Sequence, residues 1–418
     1  MINYPDALMI IFQNLAVLKK KLIRLQQANG YHLAEDIRSE TDLPLFDNSA
    51  MDGYAVISKD TIGATMKAPV KLRLIGSVPA GRPFPGELKT GQALYIATGG
   101  VIPRGADAVV PIEKSRNNPP DAVEIFTSAA RHDHIRFKGG EVKKGNTVLT
   151  EHSYLGPAQL GLLAALGRFR VMVYKKPGIA FLATGDELIE PTKKPGVGQV
   201  RNSNAIMVGK MVEKLGFKFH DLGIVSDRAE AQMRKFKDLK LPDVLLTSAG
   251  VSVGRFDIIA DTLKTLGLEV LLWKVAIKPG KPVVFGKIGK TLYFGLPGNP
   301  VSAAVVYKLF VEPALLAISG SSQPFPMIFE AISESNFKAT SGRLHFARGI
   351  CFYKNGWRVK STGQQGSHIL SGMASANCLV LIPPDENVKS GEVVRALMLD
   401  GIRVGFKTAI KAFSELLP

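Results

Sequence analysis

The spacing of apolar positions changes several times along the chain, and each change predicts a different kind of structure. Over residues 4–29, Leu8, Ile11, Phe12, Leu15, Leu18, Leu22 and Leu25 recur every three or four residues, which predicts an amphipathic helix stopped by Gly30. An irregular stretch containing Pro44 follows. Over 68–150, short β-type runs at 70–75, 93–96 and 108–112 alternate with Gly and Pro turns, predicting a small β-rich insert. Residues 154–167 resume a helical pattern that is expected to pack beside the first helix. From Lys176 onward, strand-like runs at 179–183, 218–225, 244–247 and 292–294 alternate with helical runs beginning near Asn204, Arg228, Asp257 and Val301. That order predicts a doubly wound α/β domain with a mostly parallel sheet, ending near Ser319. Runs at 344–352, 357–360, 379–382 and 393–397, separated by Gly and Pro, predict a closing β sandwich or barrel.

Composition narrows the function classes. The chain has 418 residues, 46% hydrophobic and 21% charged, close to a globular average and enough for several domains. No apolar run is expected to approach the length of a membrane span, and the N-terminus lacks the features of a secretory signal. Cys351 and Cys378 are the only cysteines, which supports neither a disulfide framework nor a cysteine metal site and fits a cytoplasmic protein. The net charge is 53 − 36 = +17, of which 21 − 13 = +8 falls on residues 171–324. No basic arm or basic-aromatic interleaving accompanies it, so the expected partners are small anions, with no nucleic acid and no membrane.

Candidate chemistry gathers where the α/β strands end, which is where such sheets bind ligands. Residues 247–254 place Thr247, Ser248, Ser252 and the glycines Gly250 and Gly254 at a strand-to-helix turn, a source of free backbone N–H groups and close approach for an oxyanion. The loop matches neither common nucleotide motif. At the next turn, Asn299 can cap a helix and Pro300 suits its first position, while an exposed helix start also attracts anions. Lys278 and Lys281 stand three residues apart on a segment stiffened by Pro279 and Pro282. Such a segment holds two ammonium groups over an oxyanion with little ordering cost. Thr184, Gly185, Asp186 and Glu187 follow the first strand of this region, and with Asp227 and Asp257 they offer carboxylates for Mg²⁺ held against phosphates.

Six segments occur in an order that carries a family resemblance: 47–56 (DNSAMDGYAV), 184–188 (TGDEL), 250–254 (GVSVG) with Asp257, 278–282 (KPGKP), 295–302 (GLPGNPVS) and 363–368 (GQQGSH). The chain closely resembles the molybdopterin molybdenumtransferase family of molybdenum cofactor synthesis, also seen as the E domain of gephyrin. The resemblance implies an elongated cytoplasmic homodimer of multidomain α/β plus β type. Its parts are a helical N-terminal dimerisation part (1–43 and 144–172), a β-rich insert (44–143), a three-layer α/β/α molybdopterin-binding domain (173–322) and a C-terminal β-barrel (323–418).

The implied reaction inserts molybdenum from molybdate into adenylylated molybdopterin, releasing AMP with Mg²⁺, in a cleft between the α/β domain of one subunit and the insert of the other. The two sulfur ligands for molybdenum come from the substrate, in keeping with the scarcity of protein cysteine. Under the resemblance, Lys278 and Lys281 with Arg343 or Arg348 hold oxyanions. Ser248, Gly250, Ser252, Gly254, Pro297, Gly298, Asn299, Pro300 and Ser302 receive phosphate and adenylate, with Thr184 and Gly185 beside them. Asp186, Glu187, Asp227 and Asp257 position Mg²⁺ or nucleotide, Asp52, Thr98 and Glu141 complete the cleft, and Ser367 contributes from the barrel. Ala249 in place of a common glycine, Glu141 in place of the usual Asp, and the basic Arg201 depart from the family pattern. Molybdopterin adenylyltransferase and a gephyrin-like scaffold binding partner peptides are the competing readings. An adenylyltransferase and acceptor molybdoenzymes are the expected protein partners.

Overall fold

A computed structural model of the chain describes residues 1–118, 120–237, 239–248 and 258–417, without the side chain of Ile258. The chain forms two compact units, one of residues 1–34, 152–156 and 170–418, the other of residues 35–151 and 157–169.

The first unit is built on a six-stranded sheet, ordered Lys218–Val225, Gly178–Thr184, Val244–Ser248, Thr291–Leu296, Val284–Ile288, Leu268–Trp273. The first four strands run parallel and the last two join antiparallel. The inner strands are apolar on both faces because both are covered by helices. Phe236, Ile259 and Leu263 pack on one face with Leu182, Leu245 and Tyr293. On the other, Ala205, Val208 and Val212 of the helix Ser203–Lys214 pack with Phe181, Leu246 and Phe294. Residues 300–318 form one helical run with a π-helical turn at Tyr307–Val311. By length and composition this run suffices to cross a membrane, contrary to the expectation that no such run exists, and 94% of its 18-residue apolar window is buried inside the protein. It is mostly apolar because protein surrounds it, and the charged Lys308 and Glu312 within it pair with each other.

The first helix also departs from expectation. It covers only Tyr4–Gln13, with Asn3 accepting from the Asp6 amide at its start. Lys20–Arg24 is instead a strand, antiparallel to Arg170–Tyr174. A strand partner some 150 residues away outweighs the local helical spacing of Leu18, Leu22 and Leu25, a choice that periodicity cannot reveal. Tyr4 makes edge-to-face contacts with Phe310, Phe346 and Phe413, so the first helix belongs to the core of this unit. The helix Pro157–Ala165 clusters with the second unit instead.

Five strands close into a barrel in the order Leu344–Tyr353, Trp357–Ser361, Ile328–Ser333, Val393–Met398, Cys378–Ile382 and back to the first. A short strand from the α/β part, Ile277–Lys278, pairs parallel with its edge, Ile277 opposite Leu344 and Lys278 opposite His345. The second unit carries its own six-stranded sheet, mostly antiparallel, with Val70–Val78 parallel to Gln92–Ile96. Its two faces bury Tyr54, Leu72 and Val123 on one side and Ala55, Leu94 and Val109 on the other.

Candidate active site

The carboxyl ends of the parallel strands open into a cleft of about 1040 Å³ within the first unit. Glu187, Ser248, Lys278, Lys281, Pro297, Gly298, Asn299, Pro300, Ser302, Arg343 and Ser367, all expected from sequence, line it together. Among the described residues its charged lining is Arg201, Lys278, Lys281 and Arg343 against Glu187, four cations to one acid. Neither Lys278 nor Lys281 forms an ion pair among the described residues. Uncompensated cations in a concave site favour an oxyanion ligand.

Local structure holds these groups. Lys278 is fixed by its pairing to His345, and the Val275 amide donates to the Lys281 carbonyl (3.1 Å), pinning the far end of the turn. Gly280 between them has φ +106°, and a Cβ there would lie 2.6 Å from Val306 Cγ2. Only glycine fits that position. Asn299 precedes the helix Pro300–Val306, yet its side chain does not cap it; Nδ2 donates to Ser367 Oγ (3.2 Å), tying the barrel loop to the cleft. The first-turn amides therefore lack the side-chain cap expected from sequence.

Arg348 lies elsewhere than expected. It is 1% exposed, and its guanidinium donates to the carbonyls of Gln364 (2.7 Å) and Gly366 (3.1 Å), while Gln365 accepts from its amide (2.8 Å). It shapes the loop that presents Ser367. The cleft cation from this part of the chain is Arg343.

The carboxylates sit beside the cleft. Thr184 is buried at its strand end, with Oγ1 donating to the Ser248 carbonyl (3.4 Å), and Asp186 accepts from the Asp227 amide (3.2 Å). Gly185, at φ +145°, leaves room for the Glu187 carboxylate to fold back over the backbone. Burial, followed by the charges of Asp186 and Glu187, pushes the Asp227 carboxyl above its usual range. Among the described residues, no three metal-ligating side chains cluster tightly enough to enclose an ion. The charges of Asp186 and Glu187 beside Asp227 nevertheless suit a cation bound by one or two carboxylates and mostly by water, as Mg²⁺ usually is. Gly250, Ser252, Gly254 and Asp257, with Ala249, lie outside the described residues.

In the second unit, Asp52 Oδ1 accepts from both the amide (2.7 Å) and the hydroxyl (3.0 Å) of Thr98, and both residues are exposed. Glu141 is exposed, its amide donating to the Leu43 carbonyl (3.0 Å).

Sequence reading missed Asn204, Gln365 and His345. Asn204 and Gln365 line the cleft, and His345 lies behind Lys278. Burial, then the charges of Lys278, Arg348 and Arg343, hold the imidazole of His345 down at about 4, although the Lys338 carbonyl hydrogen-bonded to it works the other way. The only signal for Asn204 was its place in the run 201–204 at a helix start.

Comparison with known proteins agrees with this geometry. Residues 2–167 match the model of the MoeA N-terminal region (domain I and II), residues 180–317 that of a probable molybdopterin binding domain, and residues 330–399 that of the MoeA C-terminal region (domain IV). A molybdopterin molybdenumtransferase of Haemophilus influenzae is 38% identical over 377 residues, covering 89% of this chain and 92% of that protein. Molybdopterin molybdenumtransferase 2 of Mycobacterium tuberculosis is 36% identical over 372 residues, covering 87% and 91%. The crystal structure of a molybdopterin biosynthesis moeA protein from Pyrococcus horikoshii superposes with a TM-score of 0.81 at 30% identity, covering 95% of this chain and all of that one. By its sequence over most of its length and by its fold, the chain belongs to the molybdopterin molybdenumtransferase family, a family of enzymes.

Proposed function

We propose that this protein inserts molybdenum from molybdate into adenylylated molybdopterin and releases AMP in an Mg²⁺-dependent step. The observation that carries the reading is the cleft's charge, four cations against one acid among the described residues at the carboxyl ends of the parallel strands. Molybdate and the diphosphate of the substrate are oxyanions, and Lys278, Lys281 and Arg343 hold and orient them. Ser248, Gly298, Asn299 and Ser302 offer neutral polar contacts to phosphate and nucleotide, and Ser367 closes the barrel side. Asp186, Glu187 and Asp227, with Asp257, would hold Mg²⁺, which neutralises phosphate charge when bound. In the homodimer and four-part division that the family resemblance implies, Asp52, Thr98 and Glu141 of the other copy complete the site.

The test supplies adenylylated molybdopterin with and without molybdate and Mg²⁺ and measures AMP. Release that requires both additions, and that falls at least tenfold in Lys281→Ala, supports the reading. An active preparation that releases no AMP, or that instead makes adenylylated molybdopterin from ATP, refutes it.

A further inference from the structure

We infer that Asn204 is a positioning residue whose amide turns the Ser248 hydroxyl into a fixed hydrogen-bond donor for the oxyanion in the cleft. The inference rests on the oxyanion reading above. Asn204 stands in the first turn of the helix Ser203–Lys214, is 5% exposed and lines the cleft. Its Nδ2 donates to Ser248 Oγ (2.7 Å) and to the Gly298 carbonyl (2.8 Å). A carbonyl oxygen can only accept, so Gly298 decides which way the amide faces. The amide Oδ1 is buried without a partner among the described residues, and a flipped amide would set it against the Gly298 oxygen. One Nδ2 hydrogen is thus committed to Gly298 and the other to Ser248.

A serine hydroxyl can donate or accept, and by itself does not distinguish an anion from a donor. Here Ser248 Oγ accepts from Asn204, so its own hydrogen must point elsewhere. Ser248 is 2% exposed and lines the cleft, and no acceptor among the described residues takes that hydrogen. Phosphate and molybdate at neutral pH present mainly acceptor oxygens, which match such a donor. The chain Gly298 carbonyl, Asn204 amide, Ser248 hydroxyl also ties two neighbouring strand ends together, so the donor is held in place before the ligand arrives.

The test reads binding of AMP and of molybdate, each by isothermal titration calorimetry, with thermal unfolding to confirm folding. The variants are Ser248→Ala, Asn204→Asp and the double variant. In Asn204→Asp the new carboxylate accepts the Ser248 hydrogen and turns it from the cleft. Each single variant is expected to weaken the anion facing Ser248 by about tenfold to a hundredfold. The double variant is expected to bind no more weakly than Asn204→Asp alone, because both changes remove the same donor. Simple charge repulsion or loss of structure would give losses that multiply, and that result overturns the inference, as does binding within twofold of wild type in Asn204→Asp. If Asn204→Asp does not fold, Asn204→Ala takes its place. Ser248 can then still donate but is no longer held to it, so the loss is expected to be smaller than in Ser248→Ala. The double variant is then expected to match Ser248→Ala because Asn204 acts through Ser248, and a further loss in the double variant overturns the inference. Wild-type protein that binds neither anion overturns the oxyanion reading itself. Binding lost in Lys281→Ala but intact in Asn204→Asp overturns this inference alone.

Discussion

His345 allows a stability change to be worked from the structure. It is 4% exposed on the strand Leu344–Tyr353, its Nδ1 donates to the Lys338 carbonyl (3.2 Å), and Lys278, Arg343 and Arg348 supply cationic charge around it. Its folded pKa of about 4 lies below the 6.5 of an unhindered histidine. Between those values the unfolded chain binds the proton and the folded chain does not, so stability rises with pH through this window and is lost as pH falls from 6.5 towards 4. Linkage with these two values gives a loss of about 2 kcal/mol on moving from pH 7 to pH 5. Asparagine keeps an N–H for the Lys338 carbonyl but does not titrate. His345→Asn should therefore remove about 2 kcal/mol of the acid sensitivity. Urea unfolding at both pH values, followed by fluorescence of Trp357 in the barrel and Trp273 in the α/β sheet, measures it. His32, also held down at about 4, chiefly by burial and then by His152 and Lys176 against the Ser319 backbone hydrogen bond, gives wild type a second contribution of the same size and sign. Equal pH dependence in wild type and His345→Asn would refute the reasoning.

Two further changes test the architecture. Arg348→Met removes charge-assisted bonds to the Gln364 and Gly366 carbonyls and should lower stability by about 3 kcal/mol and weaken AMP binding by loosening the Ser367 loop; unchanged urea unfolding would place the loop's support elsewhere. Glu312 Oε1 accepts from buried Lys308 (2.7 Å) and from Arg403 (2.6 Å), and burial already holds the Lys308 ammonium below its usual range. Glu312→Gln leaves that charge without its counterion and should cost about 3–5 kcal/mol in urea unfolding, whereas a change below 1 kcal/mol would refute the argument.

The sequence displayed the α/β part well because its inner strands are short apolar runs alternating with helical runs, a local pattern. It misled at Lys20–Arg24, whose strand state depends on Arg170–Tyr174. The glycine, proline and lysine motifs that line the cleft were legible because backbone conformation and charge constrain residue type there. Asn204 and His345 were not, since an asparagine near a helix start reads as a cap and a histidine in a strand reads as packing. Their roles arise from parallel pairings that join Ser248 to the strand Thr291–Leu296 and Lys278 to the barrel. Arg348 illustrates the reverse error, because an arginine on a strand gives no hint whether its charge faces a ligand or a loop carbonyl.

The pairing of Ile277–Lys278 with Leu344–His345 also bears on genetics. A premature stop soon after residue 322 would spare every strand of the parallel sheet, yet Lys278 would lose its neighbouring backbone and the cleft would lose Arg343 and Ser367. Late truncations of this chain should therefore behave as null alleles. A two-fragment complementation design that separates the barrel from the α/β part would have to rebuild this short parallel pairing before the lysine turn regained its shape.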